Sequence, residues 1–505
     1  MEDQYIDAPL LHALAATSSG NAAAWHMPGH LSGRGFSEYF RQLAWRFDTT
    51  ELPSTDDINQ PSGPALIAMQ KAAKAFMAGM TRFITCGSTG AIHILLAATA
   101  GRKGSLLIPR SSHQSVLYAA SLLDLEVLFL DANSEKQTEA RVPAGVDPLL
   151  TFHANNPFLF QPVSAASVEQ ALKDHPQCKT VLITSPDYYG QCCDIRRIAR
   201  ICHQQGACLL VDEAHGAHLP FSEKTRHYCA MASGADACVQ SGHKTLPVLT
   251  QGAYLHVSRQ AIETSRISEH RIASLIPVYQ TSSPSFLIAA SLDYARAIME
   301  QQGEALMTRQ ISLLSSFISK MTPRFSFPLS PASDHQQPVS GRLLIKDPIR
   351  VVMAAGCPSK AMPAGILKER LAAAGTQIEF ADLIRLVLIP SLFHESAEWD
   401  QLTAVFYSLY DNGYADIGLD RQIELLEVQR NWQLCLRTLP ESVMKPGDVL
   451  FGTHPSEKIY LRQAEGSISA QALIPYPPGI PLIWPGERIE KRHLRKSNFG
   501  LCISL

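Results

Sequence analysis

The stretch Ala207-Cys-Leu-Leu-Val-Asp-Glu-Ala-His-Gly-Ala-His218 decides the fold. Its first five residues are apolar or small without the alternation of a half-solvated strand, and at Asp212 the run breaks into a dense polar cluster. A strand that is apolar throughout is one buried on both faces, as in a parallel sheet. Ligands of such sheets gather beyond the carboxyl ends of the strands, where this cluster falls.

Outward from this stretch the same pattern recurs: Ser105-Leu-Leu-Ile-Pro109, Glu126-Val-Leu-Phe-Leu-Asp131, Thr180-Val-Leu-Ile-Thr-Ser185, Ala237-Cys-Val-Gln240 and Gly252-Ala-Tyr-Leu-His-Val257. Stretches long enough for helices separate these runs, which predicts an α/β domain with a mostly parallel sheet covered on both sides. Apolar residues at helical spacing from Ala289 to Ile318 predict a long helix leaving that domain. Arg385-Leu-Val-Leu-Ile389 then reads as a strand of a smaller α/β unit, and Asp420 to Leu436 as an amphipathic helix. A C-terminal α+β unit rich in Pro and Gly follows, with Tyr476-Pro-Pro-Gly-Ile-Pro481 and Trp484-Pro-Gly-Glu487. The expected division is an N-terminal arm (1–48), a large domain (49–300), a small domain (301–410) and a C-terminal domain (411–505).

Length and charge narrow the function. At 505 residues the chain holds about three units of ordinary size. Its 44 Lys+Arg against 46 Asp+Glu give a formal net charge of −2, and so no field to attract nucleic acid or a membrane surface. The apolar runs are far shorter than the roughly 20 residues that span a bilayer, and Met1-Glu2-Asp3 lacks the basic start of a secretory signal, so a cytoplasmic location is expected. Eleven cysteines without a C-x-x-C pair read as reduced thiols.

Three further motifs carry chemistry. Cys86-Gly-Ser-Thr-Gly90 precedes a good helix, and its free N–H groups and hydroxyls suit a phosphate, or equally a plain helix cap. No nucleotide-binding G-x-x-x-x-G-K-[ST] or G-x-G-x-x-G accompanies it. Asp212, His215 and His218 could be taken for metal ligands, but nothing completes the set, and no metal is expected. Ser241-Gly-His-Lys244 ends the next run, 32 residues after Asp212. A strand-end Asp followed one β/α unit later by a Lys suits pyridoxal 5′-phosphate: the Lys forms an imine and the Asp keeps the pyridine nitrogen protonated. His113, in Pro109-Arg-Ser-Ser-His-Gln-Ser115, joins the set.

Together with His26-Met-Pro-Gly-His30, Gly33-Arg-Gly35, Thr50-Glu-Leu52, Pro61-Ser-Gly63 and Gln280-Thr-Ser-Ser-Pro-Ser285, these motifs extend over nearly the whole chain. The sequence resembles the bacterial-type Orn/Lys/Arg decarboxylases of the fold-type-I pyridoxal phosphate enzymes, in a short form without an N-terminal wing domain. The resemblance implies an aspartate-aminotransferase-like large domain, pyridoxal 5′-phosphate as cofactor, and decarboxylation of a basic L-amino acid, arginine favoured over lysine or ornithine. It implies Lys244 as the imine lysine, Asp212 as partner of the pyridinium, His113 stacked on the ring and His215 near the phenolic oxygen. Gly87, Ser88, Thr89, Ser241 and His243 would hold the phosphate, with Ser282 or Ser283 reaching over from a partner subunit of a homodimer or dimer of dimers. Lys244 or His243 would return the proton to the α carbon.

Several positions depart from the family pattern: Leu31 and Gln114 where Lys is common, Asp187 where Thr is usual, and Ser467 where Arg is common. Acids expected to face the substrate's distal cation are Asp56, Asp57 and Glu487. Arg385, on a small-domain strand, is where an aminotransferase of this fold would clamp the α-carboxylate, and the alternative reading puts it at a surface or interface. An aminotransferase or lyase of the same fold, and a non-catalytic regulatory protein, are the competing functions.

Overall fold

The computed structural model describes residues 23–130, 162–325, 327, 345–355, 363–382, 384–413, 427–428, 431, 434–435, 438–475, 478–494 and 502–504. Each of the six apolar runs forms a strand, and a seventh, Met80–Ile84, precedes the Gly-Ser-Thr-Gly turn. In chain order they are β1 (Met80–Ile84), β2 (Ser105–Ile108), β3 (Glu126–Phe129), β4 (Thr180–Thr184), β5 (Cys208–Asp212), β6 (Ala237–Ser241) and β7 (Ala253–Val257). They lie side by side as β1-β7-β6-β5-β4-β2-β3. All pairs are parallel except the two made by β7, which runs against β1 and β6.

Strand alternation explains why the runs are apolar throughout. Leu106, Ile108, Leu182, Leu210 and Val239 point to one face, against α1 (Gly87–Thr99) and α2 (Gln114–Leu122). Leu107, Val181, Ile183, Leu209, Val211 and Cys238 point to the other, against the helices Ala165–Asp174 and Ile195–Gln204. Each fully buried Leu, Ile or Val contributes about 1.5–3 kcal/mol. A polar residue at any of these positions would forfeit that on one face or the other.

The predicted long helix, α3, spans Phe286–Met321, capped by the Ser285 hydroxyl. It starts against the large domain through Ala289, Leu292 and Met299 and ends in a second core with Leu314, Phe317 and Met321. That core holds the small antiparallel sheet β8 (Val351–Ala354), β9 (Phe380–Ala381) and β10 (Arg385–Leu388), in the order β8-β10-β9. Ala23–Trp25 pairs in parallel with Thr376–Ile378, so this early segment belongs to the small-domain core.

The C-terminal segment packs Leu473, Ile480, Leu482 and Ile483 against Tyr189, Val352 and Val387. Most of the expected helix Asp420 to Leu436, together with Tyr476, Pro477 and residues 1–22 of the arm, lies outside the described residues. Among the described residues no helix is long and apolar enough to cross a membrane.

Candidate active site

The parallel strands deliver their polar ends to one cavity of about 800 Å³, measured with its open mouth. Ser88, His113, Asp212, His215 and Lys244 line it, with Asp187, Tyr188, Gln191, Pro478 and Ile480. Five residues singled out from four motifs thus line one cavity.

Asp212 is the last residue of β5 and accepts a hydrogen bond from the Ala214 N–H at 3.2 Å. Burial raises its pKa, and the nearby Lys244 ammonium opposes that rise. Lys244 sits in the single turn Gly242–Thr245 after β6. Burial depresses its amine to about 8, against the pull of Asp212. An amine in this range is a competent nucleophile near neutral pH. Its Nζ lies 3.0 Å from His215 Nε2, and Arg350 approaches His215 Nδ1 at 3.2 Å. His215 is pushed well below its ordinary pKa by burial and then by Lys244 and Arg350.

His113 caps α2, its Nδ1 accepting from the Ser115 N–H at 3.2 Å and lying 2.9 Å from the Ser115 hydroxyl. Burial and Lys244 lower its pKa to about 4, so the ring is neutral in the physiological range. At the start of α1 the capping residue, Cys86, makes no side-chain bond to the helix. The Ser88 hydroxyl lies instead 2.7 Å from that of Ser241. Gly87 takes a φ of +79°, a conformation glycine adopts freely. The helix start therefore keeps its dipole and N–H groups for an anion.

The remaining expected residues fall elsewhere. Ser241 is buried beside Ser88, His243 Nδ1 lies 3.2 Å from the Gly252 carbonyl, and Thr89 is exposed at the rim. Ser282 and Ser283 are exposed on the connection into α3. Asp57 caps its own turn, accepting from the Asn59 N–H at 2.7 Å. Against the upward push of burial, the N–H groups of Ser62, Asp57, Gly63 and Ala65 hold Asp56 at about 2. These acids fasten a loop; neither lines the cavity.

Two expectations need correction. Glu487 is buried and bidentate to Arg110, at 2.7 and 2.6 Å, and also accepts from the Trp484 N–H, so it faces a framework cation. Arg385 is neither at the surface nor among the described residues lining the cavity: it is fully buried, 3.9 Å from Asp382 and 5.7 Å from the Tyr189 ring centroid.

Sequence reasoning missed Tyr188, Glu379 and Arg350. The Tyr188 phenol donates to Glu379 at 2.5 Å, and its ring meets His215 edge-on at 5.1 Å. Asp187, noticed only as a departure, is half-buried in the cavity wall; desolvation lifts it to about 6 although Tyr189 and Gln191 donate to it. An acid and two tyrosines directly after a strand end were the available signal.

The major-domain model of the Orn/Lys/Arg decarboxylases matches residues 8–324, and the model of their C-terminal domain matches 429–499. This chain belongs to the Orn/Lys/Arg decarboxylase family. It is 27% identical to an arginine decarboxylase of Bacillus cereus, over 97% of this chain and 98% of that one. It is 23% identical to the lysine decarboxylase LdcA of Pseudomonas aeruginosa, over 95% and 74%. Among solved structures, a lysine decarboxylase of Francisella novicida superposes with a TM-score of 0.74 at 18% identity, covering 96% of this chain and 75% of that one. A serine palmitoyltransferase of Sphingomonas wittichii does so at 0.54 and 14%, covering 79% and 96%.

The protein is thus an amino-acid decarboxylase of the family that acts on basic amino acids, with the fold-type-I architecture. Family and fold point to pyridoxal 5′-phosphate as its cofactor. The donor set fits that group: a depressed amine, a strand-end carboxylate and the Ser88 hydroxyl at an uncapped helix start line one cavity, with the Ser241 hydroxyl 2.7 Å behind Ser88.

Proposed function

We propose that the chain decarboxylates L-arginine to the corresponding amine and carbon dioxide, with Lys244, Asp212, His113 and His215 as its catalytic residues. The observation that carries this reading is the convergence of these four side chains, from three separate strand ends, on one cavity. Arginine is favoured because relatives named arginine decarboxylase, at 27–28% identity, match this chain over 92–98% of their length.

Lys244 holds the cofactor through Nζ. Gly87, Ser88, Thr89, Ser241 and His243 would hold its phosphate at the start of α1, and Asp212 would keep a proton on its ring nitrogen. When bound, the cofactor supplies an electron sink for the carbon–carbon bond that breaks. His113, which lines the cavity, would shield the bound group from water. Lys244 returns the proton to the α carbon; it faces the cavity, whereas His243 is turned to the Gly252 carbonyl. Burial and Lys244 also lower His243 to about 4. The burial of Arg385 beside Asp382 supports decarboxylation over transamination, because no carboxylate clamp is then presented from that strand.

The exposed Ser282 and Ser283 suit a homodimer in which this turn completes the partner's phosphate site. A cytoplasmic enzyme of polyamine biosynthesis is the matching cellular role. Incubating the protein with arginine, lysine or ornithine and measuring carbon dioxide, amine and keto acid tests the proposal. Arginine should give amine and carbon dioxide with the highest kcat/KM; keto acid in place of carbon dioxide, or a preference for lysine, overturns it.

A further inference from the structure

The segment Ile345–Arg350, which leads into β8, reaches across to the polar end of β5. Ile345 and Lys346 pair with Cys192 and Gln191, and the Asp347 N–H donates to the Gly190 carbonyl at 2.7 Å. A β-carbon on Gly190 would meet the side chain of Arg350 at 2.6 Å, so the glycine permits this approach. Two side chains of the segment then engage both histidines of the Asp212–His218 motif. Asp347 lies 3.0 Å from His218 Nε2, and Arg350 3.2 Å from His215 Nδ1.

The second contact has a fixed polarity. A guanidinium has only donors and stays charged, so His215 Nδ1 must accept. A neutral imidazole that accepts at Nδ1 carries its proton on Nε2. Nε2 lies 3.0 Å from Lys244 Nζ, and an N–H there requires the lysine to accept. Turning the ring over would replace both nitrogens by carbons and lose both bonds. Only the uncharged amine, with its lone pair toward His215, satisfies the chain from Arg350 to Lys244.

We propose that Arg350 is a positioning residue: it fixes the tautomer of His215, which in turn holds Lys244 as the free amine before the cofactor arrives. This rests on the reading of Lys244 as the reactive amine, and it adds what keeps that amine uncharged. Burial of Arg350 keeps water from replacing it, since the side chain is about 1% exposed. The other titratable groups that face the pair are Asp212, Glu379, His113 and His243. Asp212 and Glu379 favour the ammonium, so a directed hydrogen bond to the free amine has an opposing pull to overcome.

The direct test needs no cofactor chemistry. In the full-length apoprotein labelled with ¹⁵N-histidine, the His215 signals are identified by their loss in His215→Gln. At pH 9, above the midpoint of about 8 for the Lys244 amine, they should report a neutral ring protonated on Nε2; protonation on Nδ1, or on both nitrogens, overturns the proposal. The second test follows the rate at which the apoprotein combines with pyridoxal phosphate as a function of pH. Arg350→Met should raise the midpoint by about one unit, a tenfold slower combination at pH 7, and should remove the single tautomer. Arg350→Lys, which can still donate to Nδ1, should recover most of both. An unchanged midpoint and tautomer in folded Arg350→Met overturns the proposal, and if that variant does not fold the wild-type tautomer decides. Failure of wild-type protein to combine with pyridoxal phosphate would count against the cofactor role of Lys244 and leave the tautomer result standing.

Discussion

Asp212 and Glu213 are neighbours in the chain, equal in charge and both buried, yet the strand sends them to opposite destinations. Asp212 turns to the cavity and shares it with Lys244. Glu213 turns to the opposite core, accepting from the Ala230 N–H at 2.8 Å and the Gln240 amide at 2.7 Å, with the thiols of Cys238 and Cys229 at 3.6 and 3.9 Å. Burial lifts Glu213 to about 8, so it is a neutral acid at pH 7. The lesson is that the buried carboxylate turned to the cavity beside Lys244 is available for chemistry, while the one among neutral donors holds a chain turn in place.

The largest effect should come from removing the Lys244 amine itself. Lys244→Ala should abolish both decarboxylation and the visible absorbance formed with pyridoxal phosphate; a persisting band would return Asp212 to the status of a framework acid. Next comes a third buried acid, Glu487, which belongs with Glu213 as a structural group. Glu487→Ala strands the Arg110 guanidinium and should cost about 3–5 kcal/mol of stability, read from denaturant unfolding. A stable but inactive variant would instead place Glu487 with Asp212.

Asp212→Asn should lower kcat/KM by about 10²–10³, or roughly 3–4 kcal/mol, with little change in melting temperature. Equal losses in Asp212→Asn and Glu213→Gln would erase the contrast between the two. The smallest effect is the pH dependence of Glu213. Its folded pKa lies above the ordinary 4.5, so its contribution to stability is fully present below 4.5 and is lost as pH rises through about 8. Wild-type melting temperature should therefore fall between pH 6 and 8 more steeply than that of Glu213→Gln, which has no proton to lose. Identical slopes would mean that Glu213 is already ionised at neutral pH.

The sheet was legible because strands buried on both faces are mostly apolar, as the inner runs are; the edge strand Glu126–Phe129 is only half-buried and was found by its run of Val, Leu and Phe. The cavity wall was legible because polar residues at the ends of parallel strands converge. His113, Asp212, His215 and Lys244 are all of that kind. What escaped was brought by other routes. Arg350 and Glu379 arrive from the small domain, and nothing in their local sequence announces the journey. Glu487 misled because its partner Arg110 is 377 residues away, so its carboxylate looked free when read beside Trp484 and Pro485. Arg385 misled in the opposite way: on a short strand it looks exposed, but Tyr189 and Asp382 enclose it.

The pairing of Ala23–Trp25 with Thr376–Ile378 bears on how the molecule is born on the ribosome. Synthesis runs at about 5–20 residues per second, so the first strand waits roughly 20–70 seconds for its partner to emerge. Until then Trp25, which ends sealed against His394 and Trp399, is an uncovered indole on a nascent chain. The large sheet between them can form in that interval, because its strands lie within residues 80–257. The core around Trp25 therefore closes after the large sheet, and a chaperone that binds early apolar segments would find its target near residue 25.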